Sequence, residues 1–164
     1  MKKLARSALV AILLFACVGC DQVSKSVIRD HIPLGDSHSF LADTFRLTHA
    51  ENPGAFLSIG ASLSPGARVA VFQVGVALIV IWLLGIALFA RQLDVRGITG
   101  FTLLAASGLG NLIDRVTQDG HVTDFLNLGV GSVRTGIFNV ADVLGMLGVL
   151  LLILSSRTWK AAPA

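Results

Sequence analysis

The stretch IFNVADVLGMLGVLLLIL, Ile137 to Leu154, is almost unbroken apolar sequence with one carboxylate, Asp142, near its start. A run of this length crosses the hydrocarbon core of a bilayer as a helix. A carboxylate inside it is expensive to hold, roughly 2.5–3.5 kcal/mol on insertion scales, so its default reading is functional. A second aspartate, Asp124 in the stretch His121–Phe125, lies just outside the same span and supplies a candidate partner. Two carboxyl groups brought together share one proton, because both do not ionise cheaply side by side. This is the chemistry of an aspartic protease, set at a membrane surface.

Working outward, composition agrees with a membrane setting. The 164 residues are 54% hydrophobic and only 14% charged, against about 25% charge in soluble domains. The mean hydropathy is +0.77. One integral membrane domain over 1–164 is expected. A net charge of +3 raises nucleic acid as a partner, but the basic residues sit in small groups at the ends of apolar runs, with no cluster to track phosphates. No nucleic acid is expected.

Four apolar spans stand out, at about 4–24, 69–90, 97–113 and 137–156, each long enough for one crossing. Glycines recur within them, as where transmembrane helices pack closely. Lys2, Lys3, Arg6, Arg91, Arg96, Arg157 and Lys160 fall in short segments on one side, which the positive-inside rule makes cytoplasmic, with both termini inside. The other side receives outer loops of about 25–68 and 114–136, all four histidines and nine of the ten acidic residues. Residues 40–48 alternate apolar and polar positions loosely, which predicts a short strand or two. Pro53-Gly54 and Pro65-Gly66 bracket an expected short surface helix, Ala55–Leu63.

The basic start followed by an apolar run also reads as a secretory signal peptide, and Leu14-Phe15-Ala16-Cys17 resembles a lipobox. On that alternative the chain is itself a lipoprotein precursor. Three further spans weigh against it, and Asp21 and Lys25 continue the first helix as an i, i+4 pair in the favourable orientation. Cys17 and Cys20 lack a second pair or a nearby histidine for a metal or redox site. They read as small apolar residues of a helix.

Polar residues gather where the spans meet the outer side: Asp21-Gln22; Asn52-Pro53-Gly54-Ala55-Phe56; Gly108 to Arg115; and Phe138 to Asp142. Asn111 stands one helical turn from Asp114 and Arg115, and Asn139 shares a face with Asp142. In lipid each such group needs a partner. Pinning the helices together accounts for Asp114 and Arg115 as readily as chemistry does, whereas Asp142 calls for a functional reason. His31, His38, His49 and His121 show no zinc-protease spacing. Neither a G-x-S-x-G nor a Ser-x-x-Lys element of a serine hydrolase is present.

These segments together resemble the lipoprotein signal peptidase family, also called signal peptidase II, over nearly the whole chain. The motifs occur in the family's order: Asp21-Gln22 with Lys25; Asn52-x-Gly54-Ala55-Phe56; Gly108-x-Gly110-Asn111-x-x-Asp114-Arg115; Val122-x-Asp124-Phe125; and Phe138-Asn139-x-Ala141-Asp142. The resemblance implies an all-α membrane protein of four transmembrane helices with a small extracytoplasmic β-cradle and a short surface helix. It implies an aspartic endopeptidase of the bacterial cytoplasmic (inner) membrane. The activity is removal of the signal peptide from diacylglyceryl-modified prolipoproteins, with the cut just before the lipidated Cys. No cofactor and no metal are implied. The partners are the prolipoprotein substrates and membrane lipid, and the acting unit is a monomer.

Carried onto this chain, the resemblance makes Asp124 and Asp142 the catalytic pair. Asn52, Gly54, Asn111, Arg115 and Asn139 line the site, while Asp21, Lys25 and Asp114 support it. Two departures occur. One Ala is missing after Gly54, with Pro53 in the variable position, and Ser107-Gly108 stands where paired glycines are frequent. The missing Ala keeps a second alternative open, a catalytically inactive membrane protein that binds lipidated peptides.

Overall fold

The structure is a computed structural model that describes residues 2–54 and 59–156. Its elements in chain order are α1 (Lys3–His31), β1 (Ser37–Phe40), β2 (Phe45–Asn52), α2 (Pro65–Phe89), α3 (Val95–Thr117), β3 (Val122–Val130), β4 (Val133–Arg134) and α4 (Val140–Ser156). Ser64 starts α2, its hydroxyl accepting from the Ala67 N–H, with Pro65 at the tolerated first position. Val69–Gly75 within α2 widens to a π-helix before the regular turns of Val76–Phe89 resume.

Two helices, Lys3–His31 and Pro65–Phe89, are long and apolar enough to cross a membrane. Their outer faces carry large exposed side chains such as Phe15, Ile81, Trp82 and Phe89. So much apolar exposure marks a face that meets something other than water. The hydropathic order within α3 is different. This helix packs against α1, α2 and α4, and its buried stripe is built from small residues, including Gly97, Gly100, Ala105, Ala106 and Gly110. Small side chains let helix backbones approach closely. A Cβ on Gly100 would stand 3.0 Å from the Gly148 carbonyl oxygen of α4, so that contact admits no side chain.

Caps tie the opposite ends together. Asp94 accepts from the Gly97 N–H at 2.7 Å and from the Ser155 hydroxyl at 2.7 Å, fixing the start of α3 to the end of α4. Arg6 donates to the Ala87 and Ile86 carbonyls, a cation at the C-terminal end of α2 where the helix dipole favours it.

The four strands form one antiparallel sheet in the order β1-β2-β3-β4. The alternation at residues 40–48 resolves into the end of β1, a turn and the first half of β2. Leu41, Ala42 and Asp43 take positive φ in that turn, which Asp43 secures through hydrogen bonds from Arg46 and Ser39. The second outer loop contributes β3 and β4, strands that its sequence did not announce. Residues 122–125 of β3 are buried one after another, because both faces are covered and the period-2 signal is lost.

Two expectations need correcting. The fourth span does not begin as helix at residue 137: Phe138 pairs by backbone with Leu126 of β3, and α4 starts only after Asn139. Of the expected surface helix Ala55–Leu63, residues 55–58 lie outside the described residues, and Ile59 to Ala61 and beyond form turns. Gly60 there has φ +81°, a left-handed turn position that interrupts helix.

Candidate active site

The start of α4 holds the central side chains. Asn139 caps the helix, its side-chain oxygen accepting from the Asp142 N–H at 3.0 Å. Asp142 reaches back, Oδ2 accepting from the Asn139 N–H at 3.0 Å. This reciprocal pair is a capping box with a carboxylate at the third helical position. Asp142 Oδ1 accepts from the Asn111 amide of α3 at 3.2 Å.

Asp124 stands on β3, opposite Ala50 of β2. Its Oδ1 accepts from the Asn139 amide at 2.6 Å and its Oδ2 from the Asn52 amide at 3.0 Å. Asn52 can do this because its own carbonyl oxygen accepts from the Gly54 N–H at 2.9 Å, an Asx turn into which Pro53 fits. Burial pushes the Asp124 carboxyl up to about 6, against the lowering effect of its two amide donors and with a further rise from nearby Asp142.

Both aspartates, with Asn52, Asn111, Arg115, Val122, Ile137 and Asn139, line a cavity of about 20 Å³. That is enough for a water molecule. A second, apolar groove of about 680 Å³ ends at Asp142 and follows α4 past Gly145, Met146 and Val149, walled by Leu104 and Ser107 of α3 and by Leu128 and Phe138. Ser107 is thus in the groove wall, close enough that a Cβ on Gly145 would meet its hydroxyl at 2.8 Å.

Beneath the cavity lies a buried ionic network. Lys25, fully buried, stands 2.8 Å from Asp21 Oδ2 and 3.0 Å from Asp114 Oδ2, and donates to Asn111 Oδ1 at 2.9 Å. Asn139 also donates to Asn111 Oδ1, at 3.1 Å. With two donors at its oxygen, Asn111 is turned so that its NH₂ faces Asp142. Asp21 Oδ1 accepts from the Ala141 N–H at 2.9 Å, satisfying another donor of the α4 N-terminus. A Cβ on Gly110 would stand 2.6 Å from Asp21 Oδ2, so this approach of α1 to α3 requires glycine. Asp114 Oδ2 accepts from the Thr123 N–H at 3.0 Å and so anchors β3 one residue before Asp124.

Arg115 bridges to the first outer loop, donating to the Gly54 carbonyl at 2.6 Å and to the Asn111 carbonyl at 3.1 Å. Its guanidinium lies over the Phe72 ring, 5.4 Å from the centroid.

All ten residues singled out from sequence therefore meet in one assembly. Ala55 and Phe56 of the second motif lie outside the described residues. Three contributors were not singled out as site residues. Gln22 donates to Asp21, Asp114 and the Gly110 carbonyl, and Arg29 donates to Thr123 Oγ1 at 3.0 Å. The i, i+4 step from Lys25 to Arg29 was the available signal for Arg29. Thr123 carried none. Among the described residues, no three His, Cys, Asp or Glu side chains are grouped to hold a metal ion.

Comparison with known proteins places this arrangement in context. Residues 13–158 match the family model described as signal peptidase (SPase) II. A lipoprotein signal peptidase of Streptococcus pneumoniae is 35% identical over 150 residues, covering 92% of this chain and 93% of the relative. One from Sphingopyxis alaskensis is 36% identical over 148 residues, covering 86% and 82%. A bacterial membrane enzyme solved by the in meso method at 2.3 Å superposes with a TM-score of 0.81 at 29% identity, covering 94% of this chain and 90% of that one.

Proposed function

The chain belongs to the signal peptidase II family and is a bacterial membrane peptidase that removes signal peptides from lipoprotein precursors; we propose that Asp124 and Asp142 are its catalytic pair. One observation carries the assignment. The two carboxyl groups wall one water-sized cavity, and each of their four oxygens accepts a hydrogen bond from an asparagine.

The pair shares one proton, since two carboxyl groups walling one cavity do not both ionise cheaply. In this reading Asp124 carries that proton and Asp142 begins as the carboxylate, at the α4 N-terminus where the helix dipole favours negative charge. Asp142 takes a proton from a water between the two groups, and that water attacks the scissile carbonyl carbon. Asp124 gives its proton to the carbonyl oxygen as the tetrahedral intermediate forms. As this intermediate collapses, Asp142 passes its proton to the leaving amine of the lipidated Cys, and the C–N bond breaks. The oxygen then returns its proton to Asp124, which restores the starting pair.

The substrate is a prolipoprotein whose Cys bears a diacylglyceryl group, and the cut falls just before that Cys. The apolar groove that ends at Asp142 supports this reading, since it offers the membrane-borne part of the substrate a path from lipid to the carboxylates. We further propose four membrane crossings, by α1 to α4, with both termini cytoplasmic and the site on the extracytoplasmic face. The short basic segments at the far end of the helices support that orientation. The acting unit in this reading is a monomer.

The test is cleavage of a diacylglyceryl-modified prolipoprotein by the purified protein in detergent, beside Asp124→Asn and Asp142→Asn. Cutting before the lipidated Cys by the parent, lost in both variants, is the expected result. Cutting that survives either substitution removes that residue from the pair. A well-folded parent that binds the substrate without cutting it points to the inactive binding protein.

A further inference from the structure

A peptide lying across Asp124 and Asp142 has two unlike halves. The signal peptide and the acyl chains are apolar and belong to the bilayer. The mature chain beyond the Cys is polar and leaves it. Two cavities share a wall with the small cavity between the aspartates, and they differ in the same way. The one that shares Asp142 is the apolar groove along α4. The other shares Arg115. It has a volume of about 270 Å³ and is lined by Arg68, Phe72 and Gln73 from the first turns of α2 and by Arg115, Asp119 and Gly120 from the end of α3 and the turn after it, among others.

We infer that this second cavity is the subsite for the first residues of the mature chain, those that follow the lipidated Cys. The inference rests on the peptidase reading above. Arg115 supplies the main-chain contact. Its two terminal nitrogens are committed to the carbonyls of Gly54 and Asn111, but Nε is buried and has no hydrogen-bond partner among the described residues. A buried donor without an acceptor is costly, and a substrate carbonyl passing from one cavity to the other would meet it. Arg68 and Asp119 supply the charge at the mouth, and neither forms an ion pair among the described residues. Arg68 is half-buried and Asp119 exposed, so the cation is the less screened of the two. The subsite therefore favours an acidic over a basic side chain in the two residues after the Cys.

Three diacylglyceryl-modified substrates that differ only in those two residues, Ser-Ser, Asp-Asp and Lys-Lys, test this with the full-length protein. The readout is kcat/KM for each, normalised to Ser-Ser, so that a partly folded variant does not distort the order. The parent cuts Asp-Asp roughly three- to fivefold better than Lys-Lys, the size expected of a partly screened pair. Arg68→Glu inverts that order and Asp119→Lys steepens it, and raised salt shrinks both effects. An order that stays the same in Arg68→Glu, or a parent indifferent to the two residues while cutting all three, overturns the subsite and leaves the peptidase reading intact. A parent that cuts none of the three overturns the peptidase reading, and the subsite falls with it.

Discussion

Asn139 and Asp142 hold each other by two hydrogen bonds of 3.0 Å, side chain to backbone in both directions, so the cap of α4 and one wall of the site are one structure. The helix cannot begin elsewhere without moving the carboxylate. The same asparagine gives its amide to Asp124, so it hydrogen-bonds both aspartates.

This double duty separates by substitution. Asn139→Ala removes the cap and the Asp124 donor together, lowering stability by about 1–2 kcal/mol and cleavage by at least about a hundredfold. Asn139→Ser keeps a good N-cap but its short side chain does not reach Asp124. Its thermal midpoint in detergent is expected close to the parent's while cleavage stays low. Equal recovery of both would mean that Asn139 acts through the cap alone.

Much of this assembly was readable in advance, and what escaped has a common cause. The i, i+4 pairing of Asp21 with Lys25 and the shared face of Asn139 and Asp142 are local, set by helical spacing. The halt of α4 at Asn139 is not local. It depends on the Phe138 backbone finding Leu126 across a sheet, and nothing in an apolar run distinguishes its first residues as extended. The partners of Lys25 divide likewise. Asp21 lies one turn away, but Asp114 and Asn111 arrive on another helix, brought near by a glycine whose importance appears only when Gly110 is seen against Asp21. Pro53, a departure from the family pattern, lies inside the Asx turn in which Asn52 Oδ1 accepts from the Gly54 N–H.

The Asp124 carboxyl makes a prediction about stability and pH. Burial raises it from 3.8 to about 6, so the folded state holds this proton more tightly than the unfolded chain does. Below 3.8 both states are protonated and no penalty exists. Stability then falls as pH rises through the window from 3.8 to about 6, and the penalty is complete above it. At about 1.4 kcal/mol for each pH unit of the rise, the loss is up to about 3 kcal/mol. Thermal midpoints of the parent and Asp124→Asn, measured in detergent from pH 4 to 8, check this. The parent is expected to lose ground to the variant up to about pH 6 and to hold a constant gap beyond. A gap that does not change with pH would contradict it.

Lys25 links the ionic network to the chemistry, and its two roles predict different outcomes. Lys25→Met leaves Asp21 and Asp114 buried without their cation, which costs about 3–5 kcal/mol, the usual result of breaking a buried ion pair from one side. Adding Asp114→Asn removes one of the stranded charges, so the double variant regains part of that stability. It does not regain the donor to Asn111 Oδ1, which Lys25 supplies at 2.9 Å, and that donor helps turn the Asn111 amide toward Asp142. Cleavage by Lys25→Met/Asp114→Asn is therefore expected to stay at least about tenfold below the parent, the worth of one hydrogen bond to a charged group. Thermal midpoints and kcat/KM measured side by side decide the matter. If kcat/KM returns in step with the thermal midpoint, Lys25 only supports the fold. If the midpoint recovers and kcat/KM does not, Lys25 sets the geometry of Asp142 through Asn111.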